Sequence, residues 1–163
     1  MEEDNQYTSL AELITRGGVH YNLQGSNVEK ILTDLVATIP LPTHCNQDTL
    51  LTAMLEREAL MPTAIGDGIA LPHPRAPLIT ERNKQLVAIC FPDRPVNWHA
   101  LDGKPVHSVI CILSASPKDH LRSLSRISYL CRQGPFATLL AHHASREEIL
   151  EELQKAEEVW ANR

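Results

Sequence analysis

The chain has 163 residues, 43% of them hydrophobic and 21% charged, which is the composition of one ordinary globular domain rather than a disordered chain. Fifteen basic against twenty acidic residues leave a net charge of −5, and aromatics are only 4%. These values argue against a general nucleic-acid binder, which needs a basic surface for phosphates and aromatic platforms for bases.

In chain order, residues 1–8 read as a loose N-terminal arm and 9–163 as a single domain. The arm is acidic and polar, so it is no signal peptide, and no apolar run reaches the roughly 18 residues a membrane span requires. Neither nucleic-acid binding nor membrane insertion is expected, and the expected location is cytoplasmic. Gly17-Gly18 precedes a short β-like stretch, Val19 to Leu23. Ser26 with Glu29 has capping-box spacing. Val28, Ile31, Leu32, Leu35, Val36 and Ile39 follow with amphipathic helical period, ended by Pro40 and Pro42. A second helix is predicted over Gln47–Leu60, its apolar stripe including Leu50, Met54 and Met61. Thr63–Arg75 (TAIGDGIALPHPR) lacks helical period and reads as short extended pieces around a tight turn. Gln85–Phe91 and Val106–Leu113 are strand candidates.

Ser116-Pro117 opens another helix, with Leu121, Leu124, Ile127 and Cys131 predicted inward. Gly134-Pro135 breaks it before a short helix over Phe136–His142. Ser145 and Glu148 box the start of a last helix, whose stripe is Ile149, Leu153, Ala156 and Trp160 and whose other faces are mostly acidic. Helices flanking a few central strands indicate an α/β sandwich. The four cysteines, Cys45, Cys90, Cys111 and Cys131, lack the paired spacing of a zinc site and read as buried free thiols.

Three residues have a physical reason to meet an anion. His73 is one of eight histidines, but it alone is clasped by prolines, Pro72 and Pro74, which stiffen the backbone on both sides. Gly66 and Gly68 just before it allow a turn whose free N–H groups could form an anion nest. A rigid imidazole beside such a turn suits a nucleophile that accepts a phosphoryl group; the alternative is a histidine in a plain loop. Arg57 shares the helical stripe of Leu50 and Met54, so it either snorkels outward or has an anion to bind with its planar fork. His120 falls in the first turn of the Ser116 helix, where the positive dipole end biases it toward the neutral form. It is either a hydrogen-bond donor to an anion or a surface residue of the cap. Lys118, Arg122 and Arg126 add a basic stripe, either a solvated face or a docking face for an acidic partner. A metal-dependent hydrolase using His73 and His120 lacks any H-x-H or H-E-x-x-H spacing.

The stretch REALMPTAIGDGIALPH (57–73), with the later His120-Leu121-x-x-Leu124, resembles the signature of the fructose/mannitol-type enzyme IIA family of the bacterial phosphoenolpyruvate-dependent phosphotransferase system, its nitrogen-regulatory branch most of all. The resemblance implies an α/β sandwich with a central mixed sheet and a phosphocarrier with phosphotransferase character. The histidine-containing phosphocarrier protein would phosphorylate His73, in the family usually on Nε2. Arg57 would hold the phosphoryl oxygens and His120 would hydrogen-bond to them or to His73. No metal or soluble cofactor is implied. A sugar-specific member would pass the phosphate to an enzyme IIB; a regulatory one would bind a sensor kinase or potassium transporter according to its phosphorylation state. Three positions depart from the family pattern: Ala64 stands where glycine is common, and Pro74-Arg75 follows the histidine in place of a small residue and a lysine or other polar residue. Pro74 removes a backbone donor, whereas Arg75 could supply a further phosphate contact.

Overall fold

The computed structural model of the protein describes residues 7–162. The predicted arm is thus outside the described residues except for Tyr7 and Thr8. Six helices and five strands are described: α1 Leu10–Gly17, β1 Val19–Leu23, α2 Val28–Thr38, α3 Gln47–Leu60, β2 Ala64–Gly66, β3 Ile69–Ala70, β4 Leu86–Pro92, β5 Ser108–Leu113, α4 Pro117–Cys131, α5 Gly134–Ala141 and α6 Arg146–Ala161. A 3-10 turn spans Arg82–Lys84. The strands form one mixed sheet in the order β1-β4-β5-β3-β2. β1 runs parallel to β4 and β3 parallel to β5, whereas β4 pairs with β5 and β2 with β3 antiparallel. The α/β class and the central mixed sheet are those expected.

β4 and β5 are buried along their whole length, and the pleat divides their side chains between two cores. Ala88, Cys90, Val109 and Cys111 face α2 and α3, meeting Ile31, Leu32, Leu35, Leu50 and Met54. Val87, Ile89, Phe91, Ile110 and Ile112 face α1, α4, α5 and α6, meeting Leu10, Ile14, Ile127, Leu140, Ile149 and Leu153. Each fully buried aliphatic side chain contributes about 1.5–3 kcal/mol relative to exposure, so the sheet is held from both sides. The cysteines are free; Cys90, Cys111 and Cys131 are buried and Cys45 half-buried. Burial pushes the thiols of Cys111 and Cys131 up to about 12, which leaves them protonated and unreactive.

Several local expectations are corrected. The α2 cap is Asn27, not Ser26: Asn27 has extended backbone and its side chain accepts from the Lys30 N–H. Met61 is 56% exposed because α3 ends at Leu60 and Met61 is already extended. Leu121 is 64% exposed rather than inward. Six positions at about 100° each place it round the helix from the buried Ile127. The inner face of α4 carries Asp119, Ser123, Ile127, Leu130 and Cys131 instead. Val106 lies before β5 in an isolated bridge to Val96. Gly134 and Pro135 open α5 rather than separating it from its neighbour, since proline fits a first helical turn.

α1 is an element the pattern reading passed over. Ser9 caps it by accepting from the Glu12 N–H, and the carboxylate of Glu157 on α6 accepts from Leu10 and Ala11 at 3.0 and 2.8 Å. Its last residue, Gly17, lies directly on β4. A Cβ there would sit 2.1 Å from the Val87 carbonyl oxygen. Gly17→Ala therefore loses stability by about 1–3 kcal/mol through overpacking against backbone, although alanine is the better helix former by about 0.5–1 kcal/mol. Urea unfolding gives the sign: a stabilised variant would mean that α1 does not approach β4 this closely.

Candidate functional site

The site forms beyond the end of β3, where the chain still runs beside the last residues of its parallel neighbour β5. Ile69 pairs with Ser108 and Ala70 with Val109. Beyond β3 the pairing frays but persists: the Leu71 N–H donates to the Thr63 carbonyl at 3.0 Å, and the Ile112 N–H to the Pro72 carbonyl at 3.3 Å. Pro72 and Pro74 are buried and His73 between them is half-buried. The chain thus leaves the sheet with one polar side chain directed by two anchored prolines. On the other strand, β5 runs through Ser114 and Ala115 into α4. Ser116 caps that helix by accepting from Asp119, and Pro117 occupies its first turn. Arg82 clamps the same turn through two bonds to Asp119, Nε at 2.9 Å and Nη2 at 3.1 Å. His120 follows, so the fixed start of α4 carries it to His73, with ring centroids 4.7 Å apart and planes inclined at 46°.

The His73 ring makes one hydrogen bond, from Nδ1 to the Leu71 carbonyl at 2.7 Å. A carbonyl can only accept, so Nδ1 carries the proton and Nε2 holds the lone pair. Burial, set partly against this hydrogen bond and with Arg57 adding to it, lowers the pKa of His73. His120 is lowered further, to about 4, first by burial and then by the charges of His73 and Arg57. Neutrality of His120 was expected from the helix end, but the larger cause is desolvation. Both imidazoles are therefore neutral near pH 7 and able to act as nucleophile or hydrogen-bond donor.

Arg57 sits in the last turn of α3, half-buried, and donates from Nη1 to the Met61 carbonyl at 2.7 Å. Its charge reaches both imidazoles, as their lowered pKa values record. Arg75 is exposed and lies with Pro74, Pro77, Pro117, His120 and Leu121 on the wall of a groove of about 260 Å³. His73, His120 and Arg57 are thus brought together, and Arg75 adjoins them.

Gly66 and Gly68 are not brought to that group. Both have positive φ, 94° and 82°, and shape the β2–β3 hairpin at the opposite end of β3 from His73. The Asp67 N–H between them is already taken by the Asp102 carboxylate at 2.8 Å, so the expected anion nest is filled from within the chain. Gly68 also makes room for His107: a Cβ there would lie 2.3 Å from its Cδ2. On the basic stripe, the Arg122 guanidinium lies 3.9 Å from the centroid of the Tyr7 ring and Arg126 5.1 Å from that of Trp160, so these side chains stack on aromatics. Glu58, which the residue pattern did not single out, accepts from Thr63 and Trp98 beneath the site. Among the described residues, no group of three or more histidine, cysteine or carboxylate side chains could hold a metal ion, and no helix is long and apolar enough to cross a membrane.

Comparison with known proteins agrees over most of the chain. Residues 12–156 match the family model described as phosphoenolpyruvate-dependent sugar phosphotransferase system, EIIA 2. A nitrogen regulatory protein of Bradyrhizobium diazoefficiens is 30% identical over 140 residues, which are 85% of this chain and 88% of that protein. Among solved structures, the nitrogen regulatory protein IIA-Ntr of Neisseria meningitidis superposes with a TM-score of 0.72 at 21% identity, covering 88% of this chain and 97% of that one. The mannitol enzyme IIA of Escherichia coli, solved in complex with phosphorylated enzyme IIB, gives 0.64 at 21% identity, with 91% and 99% covered.

The lowered pKa values carry a measurable sign. Below pH 6.5 an unfolded chain protonates its imidazoles, whereas folded His120 resists until about pH 4. The unfolded state then binds more protons, so His120 makes stability fall as pH drops from about 6.5 toward 4. Titration of the ring resonances by NMR should show His120 mostly neutral through that window, with its midpoint at about 4, and His73 titrating below an ordinary histidine. A His120 midpoint near 6.5 would contradict the burial described here.

Proposed function

Because the chain belongs to the EIIA 2 family of the phosphoenolpyruvate-dependent sugar phosphotransferase system, we propose that it accepts a phosphoryl group on Nε2 of His73 from the histidine-containing phosphocarrier protein, acting in the cytoplasm. The observation that carries this reading is the Nδ1–H bond to Leu71, which leaves Nε2 as the one nucleophilic ring nitrogen. In the reaction the Nε2 lone pair attacks phosphorus, a N–P bond forms, and the P–N bond to the donor's imidazole breaks. The His73 ring becomes positive in the product, and the Leu71 carbonyl at Nδ1 stabilises that charge.

Arg57 holds the phosphoryl oxygens with donors not used on Met61, and its charge is fixed at every working pH. His120, neutral and 4.7 Å from the His73 ring, donates one hydrogen bond to the same group. Phosphoryl transfer needs in-line positioning and charge stabilisation more than covalent help, and a cation with a neutral donor supplies both. Arg75, on the adjoining groove wall, meets the docked donor.

Two downstream roles share this acceptor. The similarity to a nitrogen regulatory protein over 85% of the chain supports a regulatory output, in which the dianion on His73 alters binding to a sensor kinase or potassium transporter. The second reading, onward transfer to an enzyme IIB in sugar uptake, is supported by the likeness to the mannitol enzyme IIA solved with its phosphorylated enzyme IIB. A transfer assay against purified enzyme IIB separates the two.

Incubation with labelled phosphoenolpyruvate, enzyme I and the phosphocarrier protein tests the acceptor. Wild type should take up acid-labile, base-stable label, and His73→Ala none; label kept by the alanine variant or surviving acid would overturn the assignment. His120→Ala should fold and accept phosphate about 10²–10⁴-fold more slowly, the usual cost of losing a hydrogen-bonding or acid–base histidine. Arg57→Lys, which keeps charge but loses the fork, should slow transfer while donor binding persists; wild-type rates would reduce Arg57 to background electrostatics. Arg75→Ala should weaken donor docking in a salt-dependent way, and an affinity equal to wild type at low salt would leave Arg75 a solvated loop residue.

A further inference from the structure

The acceptor of the His73 Nδ1 proton is a backbone carbonyl, which has no side chain of its own to hold it. Its position depends on what fixes Leu71. The Leu71 N–H donates to the Thr63 carbonyl at 3.0 Å, so Leu71 is tied to Thr63 across the hairpin. Thr63 is itself buried and is held from the opposite side by Glu58. Its N–H donates to Glu58 Oε2 at 3.0 Å, and its hydroxyl donates to Glu58 Oε1. Glu58 Oε2 also accepts from Nε1 of Trp98 at 3.2 Å, and Trp98 is 1% exposed. One carboxylate thus accepts three donors, from the start of the hairpin and from the β4–β5 connection. The covalent step from Arg57 to Glu58 places this anchor beside the site's fixed cation.

We propose that Glu58 is a positioning residue for His73: its carboxylate fixes Thr63, Thr63 fixes Leu71 through the Leu71 N–H, and the carbonyl of the same residue thereby holds the imidazole as the Nδ1–H tautomer with Nε2 free. The action runs through hydrogen-bond geometry. Glutamine in place of Glu58 can keep all three links, because its carbonyl accepts from Thr63 N–H and Trp98 while its amide donates to the Thr63 hydroxyl. Alanine keeps none. The charged and titratable groups facing His73 from neighbouring elements are Arg57 on α3 and His120 on α4, with the Glu58 charge acting at longer range. The glutamine variant removes that charge while leaving the links.

The inference rests on the assignment of Nε2 as the phosphoryl acceptor, but its test does not. Nitrogen-15 NMR of the unphosphorylated full chain reads the His73 tautomer directly at neutral pH. Wild type and Glu58→Gln should show the Nδ1–H form, whereas Glu58→Ala should show a mixture of tautomers. Phosphoryl acceptance should fall at least tenfold in Glu58→Ala and stay within about threefold of wild type in Glu58→Gln. If the alanine variant does not fold, Thr63→Val, which removes the hydroxyl link alone, should give a partial shift in the same direction. An unchanged tautomer in a folded Glu58→Ala or Thr63→Val protein would overturn the proposal, even with transfer slowed. Loss of the Nδ1–H form in Glu58→Gln would overturn it as well. If wild type accepts no phosphate at all, the proposed function fails while the tautomer comparison still decides the role of Glu58.

Discussion

The hydrogen bond from His73 Nδ1 to the Leu71 carbonyl removes one of the two positions at which an imidazole can attack. A free histidine exchanges its proton between the two nitrogens, and a nucleophile that exchanges presents its lone pair only part of the time. Here the donor and the acceptor lie two residues apart on one chain, and buried prolines on either side keep the ring from turning away. The strand ends then have a single task, which is to hold a three-residue stretch of backbone still. β3 is only two residues long, yet it lies between β2 and the fully buried β5, and Leu71 and Pro72 beyond it still bond to Thr63 and Ile112.

Electrostatics around that ring is arranged by exclusion. Two imidazoles and a guanidinium at close quarters could carry three positive charges, and such a cluster would repel itself. Burial and the fixed charge of Arg57 push both histidines toward their neutral forms, so one cation remains. The cluster thus avoids its own repulsion while keeping one fixed positive charge. The Arg82–Asp119 pair serves the same end at one remove, because it holds the turn from which His120 projects.

Much of this was legible in the sequence where the signal is local. A proline-clasped histidine, a helix opened by Ser116-Pro117 and an arginine on an apolar stripe each follow from short-range chemistry, and the structure brings those three together. The role expected of Gly66 and Gly68 was not legible, since the partner of the Asp67 N–H is Asp102, 35 residues further on. The same holds for α1. Its segment has Ser9, Glu12 and the Leu10-Leu13-Ile14 spacing, but eight residues make a marginal helix alone. Asn27 and Ser26 are equally good caps by composition, and only backbone geometry decides between them. Glu58 shows the limit most plainly: its three donors come from residues 63 and 98, and no periodicity announces them.

The bond between the carboxylate of Glu157 and the first N–H groups of α1 spans 146 and 147 residues of chain. On a ribosome adding about 5–20 residues per second, α1 emerges roughly 7–30 s before the carboxylate to which its first N–H groups donate. During that interval Leu10, Leu13 and Ile14 have no α6 beside them, although all three are buried in the finished protein. The part of the sheet face covered by Ile149 and Leu153 therefore stays open until the last described helix is made. α1 can settle on β4 before then, since its closest approach is Gly17 against the Val87 carbonyl, but the N–H groups of Leu10 and Ala11 wait for Glu157 and so tie the first described helix to the last.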